Sequence, residues 1–227
     1  MTDSLNLYGD NLIKTTGAHG ADISSQRMDD LDIESVVHAA RHNGNSTHAV
    51  DLGCGLGMQG LRFATFGIPT LLIDQLPIEL TILGKAGFDI ALPISYLNKD
   101  VRCLSVNDLP GQISICYSQR FIHYLMHHEA IVLLQLMRQK MLSGSKLFLS
   151  ASGLGSELGN GYRGMNQPFH ERFAALSPEM ATKHNIHAPV CLYKEDDLIE
   201  LCAAASFLPD RVYSSSFGNV KGIFTAT

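Results

Sequence analysis

The chain has 227 residues, of which 45 % are hydrophobic and 17 % charged, enough apolar material for a sizeable packed core. Its formal charge of −5, with Lys and Arg scattered rather than clustered, argues against a large phosphate-binding surface and so against nucleic acid as a partner. The N-terminus lacks the basic start and apolar run of a secretory leader, and no window approaches the ~18 uninterrupted apolar residues of a membrane span.

The five cysteines, Cys54, Cys103, Cys116, Cys191 and Cys202, are odd in number and widely spaced, with no zinc-type Cys/His spacing. Reduced thiols in apolar segments fit a cytoplasmic protein, and cytoplasmic is the expected location.

Residues 1–30 are polar and irregular and read as a cap segment, with Tyr8 a candidate to close over a bound ligand. Leu31, Ile33, Val36, Val37 and Ala40 recur at helical intervals and predict a helix over 31–42, ended by Asn43-Gly44-Asn45. His48 to Leu52 reads as a buried strand. It runs into Gly53-Cys54-Gly55-Leu56-Gly57, a sharp glycine turn, and then a helix from Met58 to Phe66. Such a turn is expensive in ordinary structure because glycine loses the most backbone freedom on folding. Placed before a helix N-terminus, it suits a ligand whose backbone or anionic part must come close.

Pro69 to Asp74 predicts a second buried strand, Pro77 to Gly87 a second helix, and Ile94 to Leu97 a third strand. Gln112 to Tyr117 follows as the fourth strand, His128 to Met141 as a helix ended at Ser143-Gly144, and Lys146 to Ser150 as the fifth strand. Alternation of this kind is the mark of a doubly wound parallel sheet. Residues 152–194 break the rhythm with many glycines and read as an irregular insertion, the expected substrate lid. Glu195 to Ala205 returns to a helix. Arg211 to Phe217 and Val220 to Thr227, across a two-residue Gly218-Asn219 turn, predict a closing antiparallel hairpin.

Two cofactor classes compete for the glycine turn. Gly55-Leu56-Gly57-Met58-Gln59-Gly60 matches the dinucleotide fingerprint, with Asp74 roughly the right distance downstream. In the other frame, Asp51-x-Gly53-x-Gly55-x-Gly57 puts a carboxylate beside the turn. There it would repel a pyrophosphate and attract a ligand with an ammonium group.

Five landmarks in order settle the balance. They are Val50 to Gly57; Leu72-Ile73-Asp74; Asn98-Lys99-Asp100-Val101; Ser118-Gln119-Arg120-Phe121-Ile122-His123-Tyr124-Leu125; and Met141 to Leu149. Together they resemble the class I S-adenosylmethionine-dependent methyltransferases. The resemblance covers 48–151 strongly and 190–227 more loosely. It implies one α/β domain over 1–227, with the family's Rossmann-like, seven-stranded, mostly parallel sheet, a C-terminal antiparallel hairpin and helices on both faces.

The resemblance also assigns roles. Asp51 faces the cofactor's ammonium, and Gly53, Gly55 and Gly57 let that end approach. Asp74 accepts from the ribose hydroxyls, with Gln75 and Leu76 flanking the adenine. Asp100 and the Val101 N–H meet the base, and Ser118 lies near the reacting methyl. Tyr117, His123 and Tyr124 are candidates for acid–base work, and His170, His184 and His187 are lid candidates.

No metal is called for: there is no acidic pair of the catechol type. The Asn/Asp-Pro-Pro-Tyr/Phe and Pro-Cys signatures of nucleic-acid methylation are also missing after the fourth strand. The expectation is methyl transfer to a small molecule. A protein acceptor, or a non-catalytic or regulatory cofactor-binding protein of the same fold, is the alternative. Oligomeric state is not legible in the sequence.

Overall fold

The computed structural model describes residues 13–14, 20–22, 26–41, 47–78, 81 and 92–227. The expected helix from Pro77 to Gly87 falls almost entirely outside the described residues, as do Tyr8 and most of the cap segment. Within the cap, Ile13–Lys14 pairs antiparallel with Ala21–Asp22.

Seven strands form the main sheet: β1 (His48–Leu52), β2 (Thr70–Asp74), β3 (Ile94–Asn98), β4 (Ile113–Gln119), β5 (Met141–Ala151), β6 (Phe207–Ser214) and β7 (Val220–Ala226). Their spatial order is β3-β2-β1-β4-β5-β7-β6. The pairs from β3 through β5 are parallel, whereas β7 runs antiparallel to both β5 and β6. The chain steps outward from β1 to β3, then returns to the other side of β1 with β4. That reversal opens a crevice between the carboxyl ends of β1 and β4, where open α/β sheets take their ligands.

Each face of the sheet is covered. The period-two alternation of a strand sends Val50, Leu52, Cys116, Leu147 and Leu149 to one side, against α3 (His127–Lys140) and α5 (Glu195–Ala203). Ala49, Ile115, Tyr117 and Phe148 go to the other, against α1 (Asp30–Arg41) and α2 (Met58–Thr65). Gly60 is what lets α2 lie close to the sheet, since a Cβ there would stand 2.0 Å from Leu72 Cδ2.

Several boundaries differ from the sequence reading for identifiable reasons. β5 starts at Met141, because Ser143-Gly144 is a bulge inside the strand rather than a turn before it. The register against β4 jumps there, and Gly144 takes φ 84°. β6 starts at Phe207 and carries Pro209 on the sheet's edge, where no neighbouring strand needs its missing N–H. The closing hairpin turns over Ser215–Asn219, not over two residues. Phe217 leaves the strand there to lie under the Arg27 guanidinium, 5.0 Å from the ring centre.

The 152–194 segment is more structured than its composition suggests. Leu158, Tyr162, Leu176, Met180, Ile186, Val190 and Leu192 bury one another, with a short helix α4 (Pro178–His184). The single Tyr162 hydroxyl proton is shared between the carbonyls of Arg172 and Val190, tying two stretches of loop together. Arg172 is buried and pairs with Asp197 on α5, and it also reaches the Leu192 carbonyl at 3.0 Å. The insertion is thus pinned to the sheet domain by a desolvated ion pair.

Candidate functional site

The carboxyl ends of β1, β2, β3 and β4 bring the cofactor-side residues to one edge. Gly53, Gly55 and Gly57 all hold positive φ (63°, 54° and 81°), so the turn after β1 is left-handed three times over. Among the described residues nothing stands over Gly55, whereas Gly53 is covered by the Phe121 ring.

Asp51 is almost fully buried on the α1–α2 face. Its Oδ2 accepts from the Gly60 N–H at 3.0 Å, in the first turn of α2. Burial, with the charges of Asp32 and Asp74 nearby, raises its pKa to about 7; the Gly60 bond and Arg62 oppose the shift. This carboxylate is desolvated and short of positive charge. It would be stabilised by a cation delivered from outside.

Asp74, half-buried at the end of β2, accepts from the Gly55 N–H at 2.8 Å and from the Leu76 N–H at 2.9 Å. One acid thus fastens the glycine turn and the start of the next loop. Gln75 is exposed beside it. The Leu76 carbonyl takes hydrogen bonds from Asn98 Nδ2 at 2.7 Å and from the Tyr96 hydroxyl, which closes the β2 and β3 loops on each other.

Asp100 caps the 3-10 turn of Val101–Cys103 and forms an ion pair with Arg102, which holds its pKa down. Val101 is buried beneath it. Ser118, also buried, donates to the Leu52 carbonyl at 3.1 Å and links the ends of β4 and β1.

The acid–base candidates separate. Tyr117 points to the α1–α2 face, donates its hydroxyl to Asp32, and is pushed far above its ordinary pKa by burial. His123 and Tyr124 stand together with ring centres 4.2 Å apart, at the end of β5. Burial lowers the His123 pKa to about 3 and raises that of Tyr124. In the lid segment, His184 is half-buried against Glu157 at 3.1 Å, while His170 and His187 are exposed. Gly20, from the cap, exchanges hydrogen bonds with Asn185 beside Tyr124, so cap and insertion meet over this end of the sheet.

Residues the sequence did not single out complete the surroundings. Arg27, Asp29, Asp32, Gln119, Arg120 and Lys221 help line a small cleft between the start of α1, the end of β4 and the closing hairpin. Asp29 accepts from Gln119 Nε2 at 2.6 Å and pairs with the buried Lys221 at 2.8 Å. No sequence signal marked Asp29 and Lys221 as partners, since they stand 192 positions apart in the chain. Among the described residues, no group of three or more His, Cys, Asp or Glu is placed to hold a metal ion. No helix among them is long and apolar enough to cross a membrane.

No protein-family model matches the chain, and no curated protein sequence does either. Solved structures do. The magnesium protoporphyrin IX methyltransferase of Synechocystis PCC 6803, with bound S-adenosylhomocysteine, superposes with a TM-score of 0.62 at 14 % identity, over 97 % of this chain and 91 % of that one. An S-adenosylmethionine-dependent methyltransferase from Clostridium acetobutylicum reaches 0.64 at 10 % identity, over 89 % and 94 %. The 1,6-didemethyltoxoflavin-N1-methyltransferase of Burkholderia thailandensis, with its substrate and S-adenosylhomocysteine bound, gives 0.60 at 14 % identity, over 87 % and 79 %. The fold is the Rossmann-like one of class I methyltransferases.

Proposed function

We propose that this chain transfers a methyl group from S-adenosylmethionine to a small-molecule acceptor by direct in-line displacement. The observation that carries the reading is Asp51. A carboxylate buried under the glycine turn, raised to about 7 by desolvation, fits a cofactor that brings its own ammonium and fits a pyrophosphate badly. When bound, S-adenosylmethionine supplies an electrophilic sulfonium methyl. Asp51 would hold the ammonium, the turn at Gly53, Gly55 and Gly57 would admit the methionyl end, and Asp74 would take the ribose hydroxyls. Asp100 and the Val101 N–H would meet the base, with Gln75 and Leu76 at its sides and Ser118 near the methyl.

Displacement at a sulfonium needs alignment and exclusion of water more than a strong base. The 152–194 segment and the Gly20 region, which meet beside Tyr124, are the residues to provide that enclosure. His123 stays neutral across the working pH range and would serve as a hydrogen-bonding wall, not as a proton acceptor. That the toxoflavin-precursor and protoporphyrin enzymes share the fold supports a small acceptor here. The direct test is incubation with methyl-labelled S-adenosylmethionine and a panel of small acceptors. Label in a small product supports the reading. Label in protein, or cofactor binding without transfer to any acceptor, favours the protein-directed or regulatory alternative.

A further inference from the structure

Arg120 follows the last residue of β4 and holds φ 49°, a left-handed backbone that an L-residue with a side chain adopts only under strain. Ser150 keeps it there: the Arg120 N–H donates to both the Ser150 carbonyl and the Ser150 hydroxyl, each at 3.0 Å. Strain of this kind persists where the surroundings require it, and here it sets the half-buried Arg120 on the wall of the cleft beside Gln119.

The other charges of the cleft are matched. Lys221 is paired with Asp29 and Asp30, and the Arg27 guanidinium lies over Phe217. Asp29 also takes Gln119, and Asp32 takes Tyr117. Among the described residues, Arg120 forms no ion pair, side-chain hydrogen bond or ring contact. Its positive charge is felt at His123 and Tyr124, just after β4, and at His184 of the insertion. His123 adds a second unmatched donor. Its Nδ1 accepts from the Ser152 N–H at 3.4 Å, which assigns the ring proton to Nε2, and that buried atom meets no acceptor among the described residues. Half-buried cations and buried N–H groups both cost free energy until an acceptor reaches them.

We infer that Arg120 binds an anionic group, a carboxylate or a phosphate, carried by the methyl acceptor. The inference rests on the methyltransferase reading above. Most of the residues proposed to hold the cofactor follow β1, β2 and β3, whereas Arg120 follows β4 and is fixed by Ser150 on β5, on the other side of β1 from β2 and β3. An anion anchored there would hold its molecule at the carboxyl end of β4, the strand that carries Ser118. Arginine is also the side chain best shaped to grip a planar oxyanion with two parallel hydrogen bonds.

The test uses the full chain saturated with S-adenosylhomocysteine and titrates it with benzoate, inorganic phosphate and neutral benzamide. Wild type should bind at least one of the anions, and Arg120→Gln should bind it at least tenfold more weakly. Arg120→Lys should recover part of the loss, benzamide should not distinguish the variants, and S-adenosylhomocysteine affinity should stay within twofold. Equal anion binding by wild type and R120Q, or no anion binding by wild type, overturns the assignment. A tenfold loss of S-adenosylhomocysteine affinity in R120Q overturns it too, giving Arg120 to the cofactor's own carboxylate. If R120Q does not fold, Arg120→Gly, which accepts the left-handed backbone, replaces it in the same titration. If wild type fails to bind S-adenosylhomocysteine, the methyltransferase reading falls. Anion titration of the free protein then still decides whether Arg120 is an anion site.

Discussion

The Phe121 ring lies directly on the backbone of Gly53: a Cβ at that position would stand 2.2 Å from Phe121 Cγ. Two residues on, a Cβ at Gly55 would meet nothing within 4 Å among the described residues. Glycines that look equivalent in the motif therefore do different work. Gly53→Ala should destabilise the protein by about 2–4 kcal/mol through overpacking and a strained φ. Gly55→Ala should cost only about 1 kcal/mol of stability, yet weaken S-adenosylhomocysteine at least tenfold because the new methyl enters the open space. Denaturant melts paired with calorimetric titration separate the two, and equal effects of both on binding would contradict the distinction.

Asp51 predicts a pH dependence. Its pKa is about 7 in the folded protein, mainly from burial, against ~4 in an unfolded chain. The folded state therefore holds the proton more tightly, and Asp51 favours folding most below pH ~4. That contribution is lost as the pH rises to about 7 and is level above it. Asp51→Asn, whose amide oxygen can still accept from Gly60, should remove this part of the decline. It should leave the free protein more stable than wild type at pH 8, on the order of 1–3 kcal/mol. The same variant should lose S-adenosylhomocysteine affinity by tenfold or more. Gain in one and loss in the other is the mark of a binding carboxylate. A variant that loses both would make Asp51 a structural cap.

Asp74 should act chiefly on binding. Asp74→Ala removes acceptors for two loop N–H groups and should cost roughly 1–3 kcal/mol of stability. As the proposed ribose acceptor it should also cost S-adenosylhomocysteine ten- to a hundredfold in affinity. Methionine analogues that lack the ribose should lose less affinity than S-adenosylhomocysteine does, as calorimetric titration of both proteins would show.

The Arg172–Asp197 pair should prove costly to break from one side. Both side chains are nearly sealed from water, so Arg172→Ala leaves a buried carboxylate and should destabilise by about 3–5 kcal/mol. Hydrogen exchange should then rise first across 158–192, the stretch this pair holds to α5.

Most of the sheet was legible because buried parallel strands announce themselves as continuous apolar runs, and the acids at the ends of β1 and β2 mark where they stop. Boundaries slipped where one residue type serves two geometries. Ser143-Gly144 makes a bulge as readily as a turn, and Phe217 looks like a strand residue until Arg27 stacks on it. The insertion's packing was hidden because its buried residues come from scattered short loops, with no period for a sequence to display. Arg120 and His123 lay in plain view inside a recognised landmark. Their unmatched donors become visible only once the partners of every neighbouring charge are known.

The central claim is that the glycine turn, Asp51 and Asp74 form a site for S-adenosylmethionine. Thermal melting with S-adenosylhomocysteine, and separately with NAD, tests it most directly. A ligand at ~100 times its dissociation constant adds ~2.7 kcal/mol, which for a domain of this size raises Tm by roughly 5–11 °C. The account predicts that rise with S-adenosylhomocysteine, its loss in D51N, and no rise with NAD. A rise with NAD, or none with S-adenosylhomocysteine, would contradict it.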